Sequence, residues 1–363
     1  MKKTRIIGLL LIVLIATFAL SCSKEEEAAE APVVVEKEAA PALPGEGMIA
    51  AMATDVGGLG DKSFNDGAYG GLKLAEEKLG SEARVVQSKQ QTDYVPNLSG
   101  LAEDGADVVF AVGFLMDQAV NEAAANNPDT LFAGIDIWAG DASPDNFMGI
   151  VFNEHEAGYL AGIVAGLMTK EYASASDKLN DENKIGVVLG MFIPPVEKYE
   201  VGFIAGARSV NPDIEVLSAT AGDFVDQAKG KELALAMIEQ GADIIFHAAG
   251  LTGLGAINAC KEEGVLAIGV DVDQNATAPD TIITSAEKKI VQATYLAVES
   301  VVNGTFKGGT RVFDINDDAV GISPFHSFDS VVPQAVKDAV NAAVADMKAG
   351  KISVPTTRAE IGL

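Results

Sequence analysis

The feature that most constrains this chain is an internal repeat. Gly105-Ala-Asp-Val-Val-Phe-Ala-Val-Gly-Phe returns as Gly241-Ala-Asp-Ile-Ile-Phe-His-Ala-Ala-Gly, and Leu131-Phe-Ala-Gly-Ile-Asp136 returns as Leu266-Ala-Ile-Gly-Val-Asp271. Upstream of each copy a β-like run precedes an acidic-aromatic pair, Asp93-Tyr94 in the first and Asp223-Phe224 in the second. Self-similarity on this scale means two structural units of one design. The 363-residue length agrees, because it exceeds what a single core usually covers.

Each unit alternates short β-branched runs with longer Ala-, Glu- and Leu-rich helical runs, the pattern of β-α-β units on a parallel sheet. Strands are predicted near residues 48–53, 84–87, 108–112, 131–135 and 147–151, and again near 184–189, 214–218, 244–247, 267–270 and 282–284. Asp136 and Asp271 then stand at the tips of equivalent strands and face a common cleft. The fold class expected is α/β, two Rossmann-like lobes with parallel sheets joined by a three-crossing hinge, the architecture of a type I periplasmic binding protein. The N-terminal lobe would hold residues 48–171 and about 285–310, and the C-terminal lobe residues 172–284 and about 311–363. Crossings are expected near 172–183, 282–290 and 304–320.

Ahead of the repeat, the first strand runs into Asp55-Val-Gly-Gly-Leu-Gly-Asp-Lys-Ser-Phe-Asn-Asp-Gly-Ala-Tyr-Gly-Gly, with a helix expected from Leu72. In an open α/β sheet the ligand crevice lies at the carboxyl ends of the strands, so this polar loop is placed to touch a small molecule. It is not a phosphate loop. Gly60-Asp61-Lys62-Ser63 inserts a carboxylate where phosphate needs N–H groups and positive charge, and the dinucleotide pattern of glycines is missing.

Before the lobes, Met1-Lys-Lys-Thr-Arg and the apolar run Ile6 to Leu20 read as an export signal over residues 1–21. It ends at Ala19-Leu20-Ser21-Cys22, which resembles a bacterial lipobox, in which the Cys is diacylated and becomes the mature N-terminus. Residues 22–47, rich in Glu, Ala and Pro, suit a disordered tether. Localisation at a membrane, lipid-anchored and facing the periplasm or exterior, is the expectation.

The net charge of −26 becomes about −29 once the three cations of the signal are removed. Such a surface repels polyanions, so nucleic-acid binding and adhesion to acidic lipid headgroups are disfavoured. With Cys22 consumed, Cys260 is alone, and no zinc or redox spacing occurs. His155, His247 and His326 are isolated, without a His-Glu-x-x-His helix or a Gly-x-Ser-x-Gly elbow. A non-enzyme without metal or cofactor is therefore expected. A nucleoside-processing enzyme stays as an alternative, as does a binding protein of the same fold for a free sugar or a signalling molecule.

Asp55-x-Gly-Gly-x-x-Asp-x-Ser-Phe-Asn-x-x-Ala, Phe152-x-Glu-x-Glu-Ala-Gly-Tyr-Leu-Ala-Gly, Ala248-Ala-Gly-x-Thr-Gly-x-Gly and Gly269-Val-Asp-x-Asp-Gln follow in that order. Together they resemble the basic membrane protein family of lipoproteins, over the chain from about Met48 to the C-terminus. The resemblance implies a monomeric substrate-binding component of an ABC importer that captures purine nucleosides (guanosine, inosine, adenosine) and hands them to a permease.

It also implies roles for residues. Phe64 and Phe224 match positions that clamp a nucleobase between two rings, though either could instead pack a core. Asp136 matches a base-reading carboxylate, an acceptor that selects N–H donors on a purine edge. Asp55 and Asn65 would add polar contacts, with Asn65 able to donate and accept, or Asp55 would only fix the loop's backbone. Asp271 and Lys288 match ribose-binding positions, with Gly250 letting the backbone come close to the sugar. Asp273 rivals Asp271, and Glu287-Lys288-Lys289 also reads as a solvated charge run. No Arg pair lies in these motifs to neutralise phosphate, which favours a nucleoside over a nucleotide.

Overall fold

The computed structural model describes residues 42–363, so the export signal, Cys22 and the tether up to residue 41 lie outside the described residues. Residues 42–47, expected to belong to the tether, instead form a turn against the first helix, where the Gly45 N–H donates to the Leu79 carbonyl at 2.7 Å.

Among the described residues, ten strands fall in two sets of five. β1 (Ile49–Thr54), β2 (Glu82–Gln87), β3 (Val108–Val112), β4 (Leu131–Ile135) and β5 (Phe147–Phe152) make the first set, and β6 (Lys184–Leu189), β7 (Glu215–Thr220), β8 (Ala242–Ala248), β9 (Leu266–Asp271) and β10 (Ile282–Lys288) the second. Two further strands, β11 (Gly309–Phe313) and β12 (Val320–Ile322), close the edges. The sheet orders are β11-β5-β4-β3-β1-β2 and β12-β10-β9-β8-β6-β7, so the repeat read in the sequence is a repeat of topology. Every pair is parallel except β12 with β10, an antiparallel edge that the expectation of purely parallel sheets did not include.

The central strands are near-continuous apolar runs, such as Val108–Val112, because helices cover both faces of a parallel sheet. Those helices are α1 (Phe64–Leu79), α2 (Tyr94–Glu103), α3 (Asp117–Asn126), α4 (Glu154–Met168), α5 (Pro194–Val210), α6 (Gln227–Glu239), α7 (Gly250–Glu263), α8 (Ile290–Val302) and α9 (Gln334–Lys348). Helix α1 begins eight residues before the expected Leu72. Its internal glycines belong to packing and not to a turn: a Cβ on Gly71 would lie 2.4 Å from Thr294 Cβ and 2.7 Å from the Val291 carbonyl, both on α8.

The first passage between the lobes differs from expectation. Helix α4 packs along α5 and against β10, β12 and α9, all of the second lobe, so the chain leaves the first sheet at Phe152. Residues 172–183 lie within the second lobe, where Asn180 donates from its backbone N–H to Asp243 and from its side chain to the Gly241 carbonyl. The physical reason is a stripe of small residues at helical spacing. Cβ atoms on Gly158 and Gly162 would fall 2.4 and 2.1 Å from the carbonyls of Tyr199 and Phe203, and a Cβ on Gly206 would fall 2.0 Å from the Tyr159 carbonyl. Only glycine lets these two backbones come so close. Helix α8 makes the reciprocal exchange, following β10 of the second sheet and packing on α1 of the first. After β11 the chain returns to the second sheet through β12.

Candidate ligand-binding site

Both sheets end their strands at one cavity, lined from both lobes. The first lobe builds its wall from the turn after β1. Asp61 takes the place of a helix cap: Oδ1 accepts from the backbone N–H groups of Ser63 (3.0 Å) and Asp66 (3.1 Å), and Oδ2 from that of Asn65 (2.8 Å). A carboxylate against a helix N-terminus is favourable, and it fixes where Phe64 and Asn65 point. Asp55 accepts on Oδ1 from the Gly57 N–H (2.9 Å) and from Asn65 Nδ2 (3.0 Å). So Asp55 does fix its own loop, and it lines the cavity as well.

Asn65 is held from two sides, because Nδ2 also approaches Asp61 Oδ2 at 3.4 Å. Its Oδ1 is buried and unpartnered. The expectation that Asn65 could both donate and accept is therefore corrected: both amide hydrogens are engaged, and only the acceptor remains.

Asp136 and Asp271 follow β4 and end β9, each in the left-handed backbone region at φ 61° and 65°. Aspartate tolerates this conformation better than most residues, and it turns the carboxylate toward the cleft. Between them lies Lys288, the last residue of β10, 2% exposed. Its Nζ donates to Asp136 Oδ2 at 2.6 Å and Glu154 Oε1 at 3.4 Å, and Asp271 Oδ1 is 3.8 Å away. The reading of Lys288 as part of a solvated charge run is thus wrong.

The surrounding charges set the titration. Burial disfavours the Lys288 ammonium, but the carboxylates of Asp136, Glu154 and Asp271 outweigh it and hold the group above the ordinary lysine range. Burial likewise pushes Asp136 and Asp271 up, with Lys288 pulling both back. Burial also raises Asp55, and brings Asp61 to about 6.

Asp271 is spoken for on both oxygens. Ser63 Oγ donates to Oδ2 at 2.6 Å from the opposite lobe, and Tyr199 Oη reaches Oδ1 at 3.3 Å. A second bond across the cleft joins Gln274 Nε2 to the Lys62 carbonyl at 3.0 Å. Asp273, the rival to Asp271, is instead an exposed partner of His326.

Phe64 and Phe224 both line the cavity and are half-buried. The Lys288 ammonium lies 4.9 Å from the Phe64 ring centroid, a cation–π contact on that side. Phe224 packs over Gly190, where a Cβ would fall 2.3 Å from the ring, and Gly250 adopts φ 53° beside the Phe224 carbonyl. The structure thus brings together all eight residues singled out in the sequence. It adds Phe114, Tyr199 and the apolar N-terminal turn of α5, with Ile193, Pro195 and Val196. Glu154 stands behind Lys288, and Lys198 Nζ donates to Glu154 Oε2 (3.2 Å) and to the Phe152 carbonyl (2.9 Å). Glu154 sat inside a quoted motif, and Phe114 ends the first copy of the repeat at the position that Gly250 holds in the second; Tyr199 carried no local sign.

A cavity lined by four aspartates and one lysine repels anions and suits a neutral ligand rich in N–H and O–H donors. A family model described as Bmp, ABC transporter substrate-binding protein PnrA-like, matches residues 48–357. The chain belongs to this family. Within the Bmp family, the ABC transporter nucleoside-binding protein BmpA of Lactococcus lactis subsp. cremoris is 33% identical over 329 residues, covering 85% of this chain and 89% of that protein. An uncharacterized lipoprotein of Pyrococcus horikoshii is 36% identical over 288 residues, 76% of this chain and 69% of its own. The crystal structure of an ABC transporter solute-binding protein from Aeropyrum pernix K1 superposes with a TM-score of 0.78 at 27% identity, over 85% of this chain and 94% of that one. The fold is that of periplasmic binding proteins, and membership of the Bmp family makes this a substrate-binding protein of an ABC transporter, with a ligand and a permease as its partners.

Proposed function

We propose that this Bmp-family protein captures purine nucleosides in the interlobe cleft and delivers them to an ABC importer from a lipid anchor at Cys22. The observation that carries the reading is the pair of buried, unpartnered acceptors, Asn65 Oδ1 and Asp136 Oδ1, in an acidic cavity walled by Phe64 and Phe224. A purine supplies N–H donors for the acceptors and two π faces for the rings. Stacking on each face contributes on the order of 1–3 kcal/mol and tolerates several bases. Lys288 spends two hydrogen bonds on carboxylates, which leaves one ammonium hydrogen for a ribose oxygen, while Asp271 accepts from ribose hydroxyls on its remaining lone pairs. The name of the Lactococcus relative, a nucleoside-binding protein, supports the same ligand class.

Guanosine, inosine and adenosine should each stabilise the protein against heat, by about 2.7 kcal/mol at 100 times the dissociation constant, and free ribose should not. Phe64→Ala should weaken every nucleoside by a similar amount. Ribose binding as tightly as guanosine would turn the reading toward a sugar receptor.

The anchor reading rests on the Ser21-Cys22 junction and on relatives that bear the name lipoprotein. On this reading the protein sits at the membrane, facing the periplasm or exterior. Cys22→Ser should abolish partitioning of the mature form into detergent. Unchanged partitioning would sink the anchor without touching the ligand.

A further inference from the structure

We propose that Arg358, in the C-terminal segment, is a positioning residue for the ligand cavity: it braces from outside the start of α5, whose inner side is cavity wall. Only the choice of ligand in its test rests on the nucleoside reading above.

The start of α5 shapes the cavity and has little of its own to hold it. Ile193, Pro195, Val196 and Tyr199 line the cavity. Yet the helix opens on Pro194-Pro195 after Ile193, so it has no side-chain cap, and the two prolines have no N–H to donate. Its place is therefore set by the side chains that follow. Lys198 donates to Glu154 and to the Phe152 carbonyl, and Tyr199 to Asp271. Glu197 and Glu200, three apart and so on one helix face, are left for another partner.

Arg358 is that partner. Its backbone N–H donates to Glu197 Oε1 at 2.9 Å, and its Nε and Nη2 donate to the two Glu200 oxygens at 2.7 and 2.8 Å. The guanidinium also lies 4.4 Å from the ring centroid of Phe192, the residue before Ile193. One side chain thus grips both ends of the stretch 192–200. A planar, two-pronged contact of this kind fixes orientation as well as distance. Glu200 is fully buried, and beyond Arg358 it accepts from the Ser218 hydroxyl of β7.

Arg358 is itself held. It opens a short helical turn, Arg358–Ile361, in which Glu360 accepts from the backbone N–H groups of Thr356 (2.7 Å) and Thr357 (2.9 Å). Arg208, in the last turn of α5, donates to the Ile361 carbonyl at 3.4 Å. The segment therefore runs along α5 from its first turns to its last. Without Arg358 the Glu200 carboxylate loses its cation, and a buried carboxylate without one is driven toward water. Movement of Glu200 carries Val196 and Tyr199 with it, one turn or less away on the same helix. A wall that is no longer preset has to be ordered by the ligand, which lowers affinity.

The test pairs Arg358→Ala with the double variant Arg358→Ala/Glu200→Gln, in which the unpaired charge is gone but the brace is still missing. Melting temperature, guanosine affinity by calorimetry and amide hydrogen exchange of the ligand-free chain are measured on the parent and both variants. The double variant should melt close to the parent yet bind guanosine about five- to tenfold more weakly. Its amides should exchange faster over residues 192–200 while those of Val108–Val112 stay as in the parent. Arg358→Lys, which keeps the charge but not the fork or the planar stack, should fall between parent and double variant. The double variant also keeps the test open if Arg358→Ala alone fails to fold. Affinity that returns together with stability would make Arg358 a charge partner of Glu200 only and overturn the assignment, as would unchanged exchange over 192–200. If the parent binds no nucleoside, the nucleoside reading fails alone and the exchange measurement decides this one.

Discussion

Asp136 and Asp271 occupy the same place in the two lobes, at the carboxyl tips of β4 and β9, with φ values of 61° and 65° and side chains on the same lysine. Their hydrogen bonding is not the same. Asp271 is fixed by Ser63 from the other lobe and by Tyr199, whereas Asp136 keeps one oxygen unpartnered. One design, used twice, yields a carboxylate bonded across the cleft and another that keeps an oxygen without a partner at the cavity. The repeat sets position, and the residues that arrive from elsewhere in the chain set role.

The most severe break in this comparison is to remove what the two aspartates share. Lys288→Met leaves Asp136, Glu154 and Asp271 buried without their common cation, and breaking a buried ion network in this way costs about 3–5 kcal/mol. Chemical denaturation near neutral pH should show that loss. Adding Asp136→Asn to the same chain should return part of it, since the carboxylate whose only salt-bridge cation was Lys288 is gone; no recovery would mean that Lys288 acts mainly by filling space.

Changing the aspartates one at a time sharpens the contrast. Asp271→Ala should weaken all nucleosides together and also cost stability, about 1–3 kcal/mol, because the Ser63 and Tyr199 hydroxyls lose a buried acceptor. Asp136→Ala should instead change the order among bases. Calorimetry on both variants with guanosine and adenosine distinguishes them, and a uniform loss in both would erase the division of roles.

A smaller effect comes from pH. Asp136 faces Lys288 from β10, Glu154 from α4, and Asp271 from β9, with the Tyr199 hydroxyl of α5 close by, and burial raises its pKa. As pH falls, Asp136 gains its proton sooner than an exposed carboxyl would. A protonated Oδ1 donates, and a donor suits adenine N1. The guanosine-to-adenosine ratio should therefore narrow on acidification, and titrations at several pH values would show it. A ratio that widened would argue against Asp136 as the group that reads the base.

Much of this was legible in the sequence, and the gaps have physical causes. The apolar runs Val108–Val112, Leu131–Ile135 and Lys184–Leu189 lie buried between helix layers and declare themselves. The edge strands β11 and β12 do not, because Val320–Ile322 is only three residues long and most of Gly309–Phe313 is exposed. The early crossing at Phe152 was hidden because the glycine stripe that docks α4 on α5 says that two backbones touch, not which lobe they belong to. The eight cleft residues were found through motifs. Tyr199, in the middle of a helix whose apolar face looks like any other, acquires its meaning only from Asp271, 72 residues away.

A second pair from the repeat offers the mildest test. Asp107 and Asp243 precede β3 and lie in β8, and each accepts a backbone N–H, from Ile49 at 2.7 Å and from Asn180 at 2.9 Å. Asp107 is exposed; Asp243 is buried and takes a further bond from the Thr169 hydroxyl at 2.7 Å. Burial raises Asp243 to about 6 from an ordinary 3.8. In that window the folded state holds a proton that the unfolded chain has already released, so this group's contribution to stability falls as pH rises. The slope approaches about 1.4 kcal/mol per pH unit at most. Stability measured across that window should be flatter in Asp243→Asn than in the parent. Asp107→Asn should cost only an exposed hydrogen bond, about 0.5–1.5 kcal/mol. A slope in Asp243→Asn equal to the parent's would mean that the buried carboxyl does not hold its proton across that window.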